Sequence, residues 1–153
     1  MSTTRVLIIA GSDSGGGAGI QADIKTITML GGHAMTAVTA VTAQNTQGVT
    51  AVHAIPTETV LAQIDAVIDD LGVDAVKVGM VGSPFTVLHI AARLERLENI
   101  PIVFDPVMVA TSGALLADDA TVAAFGRLLS VATIATPNLP ELHRLTSEED
   151  PVA

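Results

Sequence analysis

Val6-Leu-Ile-Ile-Ala10, then Gly11-Ser-Asp13-Ser-Gly-Gly-Gly-Ala-Gly19, then Ile20-Gln-Ala-Asp23 is the stretch on which the fold turns. A continuous apolar run closed by Gly11-Ser-Asp13 is the pattern of a buried strand entering a loop. From Ala18 to Leu30 the apolar residues recur at helical spacing. The predicted unit is strand, glycine-rich turn, helix.

The same rhythm continues outward. Thr36 to Ala43 alternates Thr and Ala with Val and ends at Gln44-Asn45, which predicts a strand, and Val49 to Ile55 predicts a short one. Thr57 is expected to cap a helix with Val60, Ile64, Val67, Ile68 and Leu71 on one face. Ala75 to Val78 is the next strand, turned by Gly79 to Gly82. Ser83-Pro84 opens a helix that Val87, Ala91 and Leu94 carry forward. Ile102 to Phe104 is a strand stopped by Asp105-Pro106. Asp118 caps a helix bearing Val122, Phe125 and Leu129. Ile134 lies in a last strand, and Pro140 to Leu145 begins one more helix. Strands alternating with helices predict an α/β domain, or part of one, with a mostly parallel sheet and helices on both faces.

Composition agrees. Of 153 residues, 49% are apolar and only 2% aromatic, so an aliphatic core must fill the space, as suits a buried parallel sheet. Seven Lys and Arg against 16 Asp and Glu leave a net charge of −9 and no basic run. That argues against a nucleic-acid backbone or an anionic membrane as partner. Asp65, Asp69 and Asp70 read as a solvated helix face. The absence of cysteine removes disulfides and thiolate chemistry, and the four histidines lack ligand spacing. The apolar run before Gly11 is too short for a signal peptide or a span, so a soluble, cytoplasmic chain is expected.

Ligands of open parallel sheets bind beyond the carboxyl ends of the strands. Gly11-Ser-Asp13, Gln44-Asn45, Gly79-Met80, Asp105-Pro-Val107 and Asn138 all follow predicted strands and would share that rim. Five glycines between Gly11 and Gly19 either aim backbone N–H groups at a ligand or make a tight turn. No Gly-Lys-Ser/Thr follows, so this is not a Walker loop. Gly17-Ala-Gly19-Ile-Gln-Ala22 fits the looser dinucleotide pattern, but no acid lies between Asp23 and Glu58 to bind a ribose.

Asp23 falls on the apolar helix face set by Ile20, Ile27 and Leu30, opposite Gln21, Lys25 and Thr28. A carboxylate there needs a partner, either loop N–H groups or a ligand. Gln44 offers both donor and acceptor, as a heterocycle edge requires, or is a satisfied loop amide. Lys77 in an apolar strand either neutralises Asp105 or a phosphate, or snorkels outward. Asn138-Leu-Pro-Glu141 has the form of a capping box.

These blocks together resemble the pyrimidine kinases of thiamine biosynthesis, in the ribokinase superfamily. Ala10 to Asp23 with Lys25-Thr26 is similar to their opening signature. Thr42-Ala-Gln-Asn-Thr46, Val76-Lys-Val-Gly-Met80, Asp105-Pro-Val-Met-Val-Ala110 and Thr136-Pro-Asn-Leu-Pro-Glu141 follow in order. The resemblance runs from about Val6 to Leu145.

It implies a ribokinase-like fold, a homodimer, and transfer of the γ-phosphoryl of ATP to hydroxymethylpyrimidine and then to its monophosphate. Asp23 and Gln44 would hydrogen-bond the pyrimidine edge, while Gly11, Met80 and Val107 would line its pocket. The glycine-rich turn would then hold substrate and not ATP phosphates. Asn138 and Glu141 resemble the superfamily motif associated with Mg²⁺ and phosphate, and Asp105 and Lys77 are further candidates there. Family members continue well past this length, and their second half supplies the nucleotide site and catalytic residue. No catalytic residue is therefore expected in this chain, which reads as a substrate-binding half, incomplete at its C-terminal side and inactive alone. Thr111 stands where relatives carry Lys, and Ser147-Glu-Glu-Asp-Pro151 predicts no further element. Two alternatives remain: a pyridoxal/pyridoxine kinase, or a non-catalytic pyrimidine-binding half-domain.

Overall fold

A computed structural model describes residues 3–110 and 112–146, so Thr111 and the predicted tail from Ser147 lie outside the described residues. In chain order the elements are β1 (Arg5–Asp13), α1 (Gly19–Met29), β2 (His33–Gln44), β3 (Val49–Ala54), α2 (Thr57–Asp70), β4 (Ala75–Val78), α3 (Pro84–Leu94), β5 (Ile102–Phe104), α4 (Asp119–Val131), β6 (Ile134–Ala135) and α5 (Leu139–Thr146). The strands form one sheet in the order β3-β2-β1-β4-β5-β6. All neighbours pair in parallel except β3, which returns antiparallel along β2.

Side-chain alternation sorts the sheet into two faces. Leu7 and Ile9 of β1, Val76 and Val78 of β4, and Ile102 and Phe104 of β5 point into one core. There they meet Val60 and Ile64 of α2, Ile90 and Leu94 of α3, and Phe125 and Leu128 of α4. Phe104 and Phe125 meet edge-on, 5.2 Å between ring centroids. Ile8 and Ala10 point the other way, onto Ile20 of α1. Helices therefore cover both faces, as predicted.

Two local expectations are corrected. β1 does not stop at Ala10: after a bulge, Ser12 and Asp13 still pair with Val41 and Thr42 of β2. Thr57 does not cap α2. Pro56 occupies that position without a side-chain bond, and the Thr57 hydroxyl lies 2.7 Å from that of Thr86 on α3. In α4 Phe125 is fully buried and Val122 and Leu129 pack partly buried against the same core, as expected, with Leu128 joining them. The caps at Ser83 and Asp118 form as expected, each side chain accepting from the N–H three residues on.

Candidate substrate cleft at the sheet rim

The parallel strands end at one rim, and a cleft of about 290 Å³ opens there. Gly11, Asp23, Gln44, Met80 and Val107 all line it, and so do Lys77 and Asp105. Sequence positions almost a hundred residues apart thus converge because the strands that precede them are parallel neighbours. Asn138 and Glu141 sit beside it, lining a second cleft that shares Val109 and Ala110 with the first.

The glycine-rich turn is closed by its own carboxylate. Asp13 Oδ1 accepts from Gly15 N at 2.8 Å, and Oδ2 accepts from Gly17 N at 2.9 Å and Ala18 N at 2.8 Å. Burial alone would push the Asp13 carboxyl up; the N–H groups of Gly15, Ala18, Gly17 and Gly16 outweigh it, and it titrates below the ordinary aspartate range. Those N–H groups are therefore not on offer to a phosphate, while Gly11, Ala18 and Gly19 of the same turn line the cleft. The sequence places Asp13 at the rim but does not assign it this role. Its signal was local: an Asp at a strand end ahead of a glycine run readily bonds the next backbone N–H groups.

Gln21 and Lys25, on the polar face of α1, bond back to the end of β1 and to the glycine-rich turn. Gln21 Oε1 accepts from Asp13 N at 2.8 Å, its Nε2 donates to Ser12 Oγ at 2.7 Å, and Lys25 Nζ donates to Gly16 O at 2.7 Å. Together they lock the first turns of α1 against the end of β1.

That locking fixes Asp23. Its Oδ2 accepts from Lys77 Nζ at 2.8 Å, and the same ammonium lies 3.9 Å from Asp105 Oδ2. Asp23 is half-buried, so its predicted place away from the surface holds, and Lys77 does not snorkel free. Asp105 is itself pushed above the usual carboxylate range. Burial is the largest cause and Glu141 and Asp23 add to it, against the opposing pull of Lys77.

Gln44 is held from two sides. Its backbone N–H and C=O both engage the Ser14 hydroxyl, at 2.8 and 2.7 Å, and its Oε1 accepts from Thr42 Oγ1 at 3.3 Å. Among the described residues no acceptor meets Gln44 Nε2 and no donor meets Asp23 Oδ1. The cleft therefore presents a spare donor on Gln44 and a spare acceptor on Asp23, beside the Lys77 ammonium and the Asp105 carboxylate. Met80 is fixed by its carbonyl, which accepts from Thr39 Oγ1 at 2.6 Å.

Asn138 and Glu141 form the predicted capping box, and Glu141 is buried. Its Oε1 also lies 3.5 Å from Met108 N. Among the described residues no group of three or more His, Cys, Asp or Glu side chains converges as a metal site. None of the described helices is long and apolar enough to cross a membrane.

A parallel sheet with a small, mixed polar cleft at its carboxyl rim and these five motif ends defines a ribokinase-like α/β protein. The chain belongs to the phosphomethylpyrimidine kinase family, whose sequence profile matches residues 13–152. It is 51% identical over 151 residues to the hydroxymethylpyrimidine/phosphomethylpyrimidine kinase of Mycobacterium tuberculosis H37Rv, covering 97% of this chain and 55% of that protein. The crystal structure of phosphomethylpyrimidine kinase from Clostridium difficile 630 superposes with a TM-score of 0.89 at 42% identity, over 97% of this chain and 64% of that one. Pyridoxal kinase from Staphylococcus aureus in complex with pyridoxal gives 0.86 at 32% identity, over 96% and 55%. The chain thus spans about half the length of the hydroxymethylpyrimidine/phosphomethylpyrimidine kinases it matches, and less of the bifunctional and multifunctional relatives.

Proposed function

We propose that the rim cleft is the acceptor site of a cytoplasmic, ATP-dependent kinase that phosphorylates hydroxymethylpyrimidine and its monophosphate for thiamine biosynthesis. One observation carries this: a spare acceptor on Asp23 and a spare donor on Gln44 line the same cleft, against the apolar side chains of Met80 and Val107. An aminopyrimidine has the complementary edge, an amino donor beside a ring-nitrogen acceptor. Asp23 would take the amino hydrogen and Gln44 would donate to the ring nitrogen. Gly11, with no side chain, would leave the ring its thickness.

ATP with Mg²⁺ supplies the phosphoryl group when bound. Asp105 and Glu141 would hold the cation, with water and nucleotide phosphates completing its shell, as is usual for Mg²⁺. The mutual repulsion that helps to raise Asp105 fits a cation between them. Asn138 would orient Glu141 through the capping box. Homodimerisation of the whole protein belongs to the same reading.

The test is calorimetric titration with 4-amino-5-hydroxymethyl-2-methylpyrimidine. Gln44→Leu leaves a buried ring nitrogen unpaired, which should cost about 1–3 kcal/mol of binding. Asp23→Ala should cost at least as much. Unchanged affinity in both variants would overturn the assignment. Displacement by pyridoxal at equal concentration would move it to the sister kinases.

A further inference from the structure

Met80 stands between two cavities. The second, of about 130 Å³, lies behind the rim cleft on the β3 side, and among the described residues Met80 and Leu116 are the two that line both. Its wall is largely aliphatic, with Ala40 of β2, Val52 and Ala54 of β3, and then Ile55 and Val81. The polar side chains on that wall are already bonded. Thr39 Oγ1 donates to Met80 O at 2.6 Å, the Thr86 and Thr57 hydroxyls lie 2.7 Å apart, and Ser83 Oγ accepts from Thr86 N at 3.4 Å. Such a space suits an alkyl group, and apolar cavities of about 150 Å³ admit benzene. The divider is held in place. Besides the Thr39 bond to its carbonyl, its sulfur lies against Gly11, where a Cβ would come within 3.0 Å of Sδ.

We infer that the second cavity is a subsite for the substituent on carbon 2 of the ring, and that Met80, with Leu116, limits the size of that substituent. This rests on the aminopyrimidine reading of the cleft and deepens it. With the amino group on Asp23 and the adjoining ring nitrogen on Gln44, the next ring atom is carbon 2, on the side away from Asp23. Gln44 ends β2, the strand through which the sheet passes to β3. Thr42, which lines the cleft, is paired with Val52, which lines the second cavity, and Ala40 is paired with Ala54. The substituent on carbon 2 therefore points past Gln44 towards Met80 and the β3 wall. The hydroxymethyl group, on the other flank of the amino group, lies on the β4 and β5 side. A methyl group stops in front of the thioether. A longer chain needs the thioether removed, and then has an apolar space to enter.

The experiment is isothermal titration of the 153-residue chain with 4-amino-5-hydroxymethyl-2-methylpyrimidine and with its 2-propyl analogue, with folding checked by circular dichroism. The wild type should prefer the methyl ring by at least about tenfold, the scale on which a closed pocket discriminates methylenes. Met80→Ala should reverse the order, with the propyl ring the tighter by about tenfold, as two further buried methylenes warrant. Leu116→Ala opens the same wall from its other side. It should move the ratio in the same direction, and it serves where Met80→Ala does not fold. Ala54→Leu added to Met80→Ala refills the cavity and should restore the preference for methyl. A ratio unchanged in folded Met80→Ala, or in Leu116→Ala where the first does not fold, overturns the subsite and leaves the cleft assignment standing. So does a propyl gain that Ala54→Leu fails to remove. Equal binding of the two rings by the wild type overturns Met80 as the limit. Failure of the wild type to bind either ring overturns both readings.

Discussion

Asn138 and Glu141 satisfy each other at the start of α5. Asn138 N donates to Glu141 Oε2 at 3.0 Å, and Glu141 N donates to Asn138 Oδ1 at 2.9 Å. The motif that the resemblance associates with Mg²⁺ and phosphate is thus also a complete capping box. The two roles separate by substitution. Glu141→Gln keeps one oxygen able to accept from Asn138 N and loses the acceptor towards Met108 N, so urea denaturation should register a loss of about 0.5–1.5 kcal/mol. Asn138→Ala removes the cap and should cost about 1 kcal/mol. In a chain extended to the length of the relatives, Glu141→Gln should nonetheless depress Mg²⁺-dependent phosphoryl transfer strongly. If stability falls and turnover does not, Glu141 is a cap alone.

Asp13 ties the glycine-rich turn to charge, and so to pH. Its carboxyl titrates lower in the folded chain than the ordinary value of about 3.9. The folded state therefore prefers the ionised form. The stabilisation is complete above the unfolded value and is lost as pH falls through the lower folded one. Asp13→Asn keeps one strong acceptor where three N–H donors converge, and should cost about 1–3 kcal/mol at pH 7. Urea midpoints of wild type and variant should converge below about pH 4. A gap that stayed constant into acid would mean that Asp13 acts by shape and not by charge.

Much of the fold was legible because it depends on local pattern. The apolar run Val6 to Ala10, the Ser83-Pro84 start and the Asp118 cap each carry their signal within a few residues, and each appears. The rim followed from topology, since parallel strands must end together. What stayed hidden needed three dimensions. Lys77 and Asp23 are 54 residues apart, and their pairing depends on β4 lying beside β1 with α1 packed above. Gln21 and Lys25 lie on the polar side of α1, and nothing in helical periodicity says that the preceding loop folds back over that side. Thr57 looked like a cap because its residue type is right. Pro56 took the position, leaving the Thr57 hydroxyl to join α2 to α3.

Asp105 is a carboxylate that the fold disfavours when ionised. Burial raises its pKa first, Glu141 and Asp23 add to that, and Lys77 only partly compensates. The sign is opposite to that of Asp13. The folded chain binds this proton more tightly than the unfolded one, so a stabilisation present at acid pH is lost as pH rises through the folded value. Asp105→Asn removes the charge and should raise the thermal midpoint at pH 7 by a few degrees. The difference should close towards about pH 4, where the wild-type carboxyl is protonated as well. Differential scanning calorimetry in Mg²⁺-free buffer is the appropriate measurement, because a bound cation would reverse the effect. A lower midpoint for the variant at pH 7 would show that Lys77 outweighs burial.

Gly19 and Gly31 bracket α1, and both have left-handed backbone, with φ of 56° and 81°. Only one of them is crowded. A Cβ on Gly31 would meet nothing within 4 Å, whereas a Cβ on Gly19 would lie 2.3 Å from the carbonyl oxygen of Gly11. Gly31→Ala therefore isolates the conformational cost, about 1–2 kcal/mol for a residue with a Cβ in this region. Gly19→Ala adds a collision with backbone, which cannot rotate away as a side chain can. It should be the more destabilising by a further 1–3 kcal/mol or so, as overpacking typically costs. The clash also has a direction. Gly19 bridges to Ser12 at the end of β1, and relief must move the first turn of α1 away from it. Asp23 is one turn further along that helix, so its reach towards Lys77 and the cleft moves too. Urea denaturation of the two variants, paired with titration by 4-amino-5-hydroxymethyl-2-methylpyrimidine, tests both halves. Gly31→Ala should bind like the wild type despite its lower stability, while Gly19→Ala should lose at least about tenfold in affinity. Equal stability losses in the two variants would show that the approach of α1 to β1 has slack. Equal affinities would show that the position of Asp23 is not set from this end of the helix.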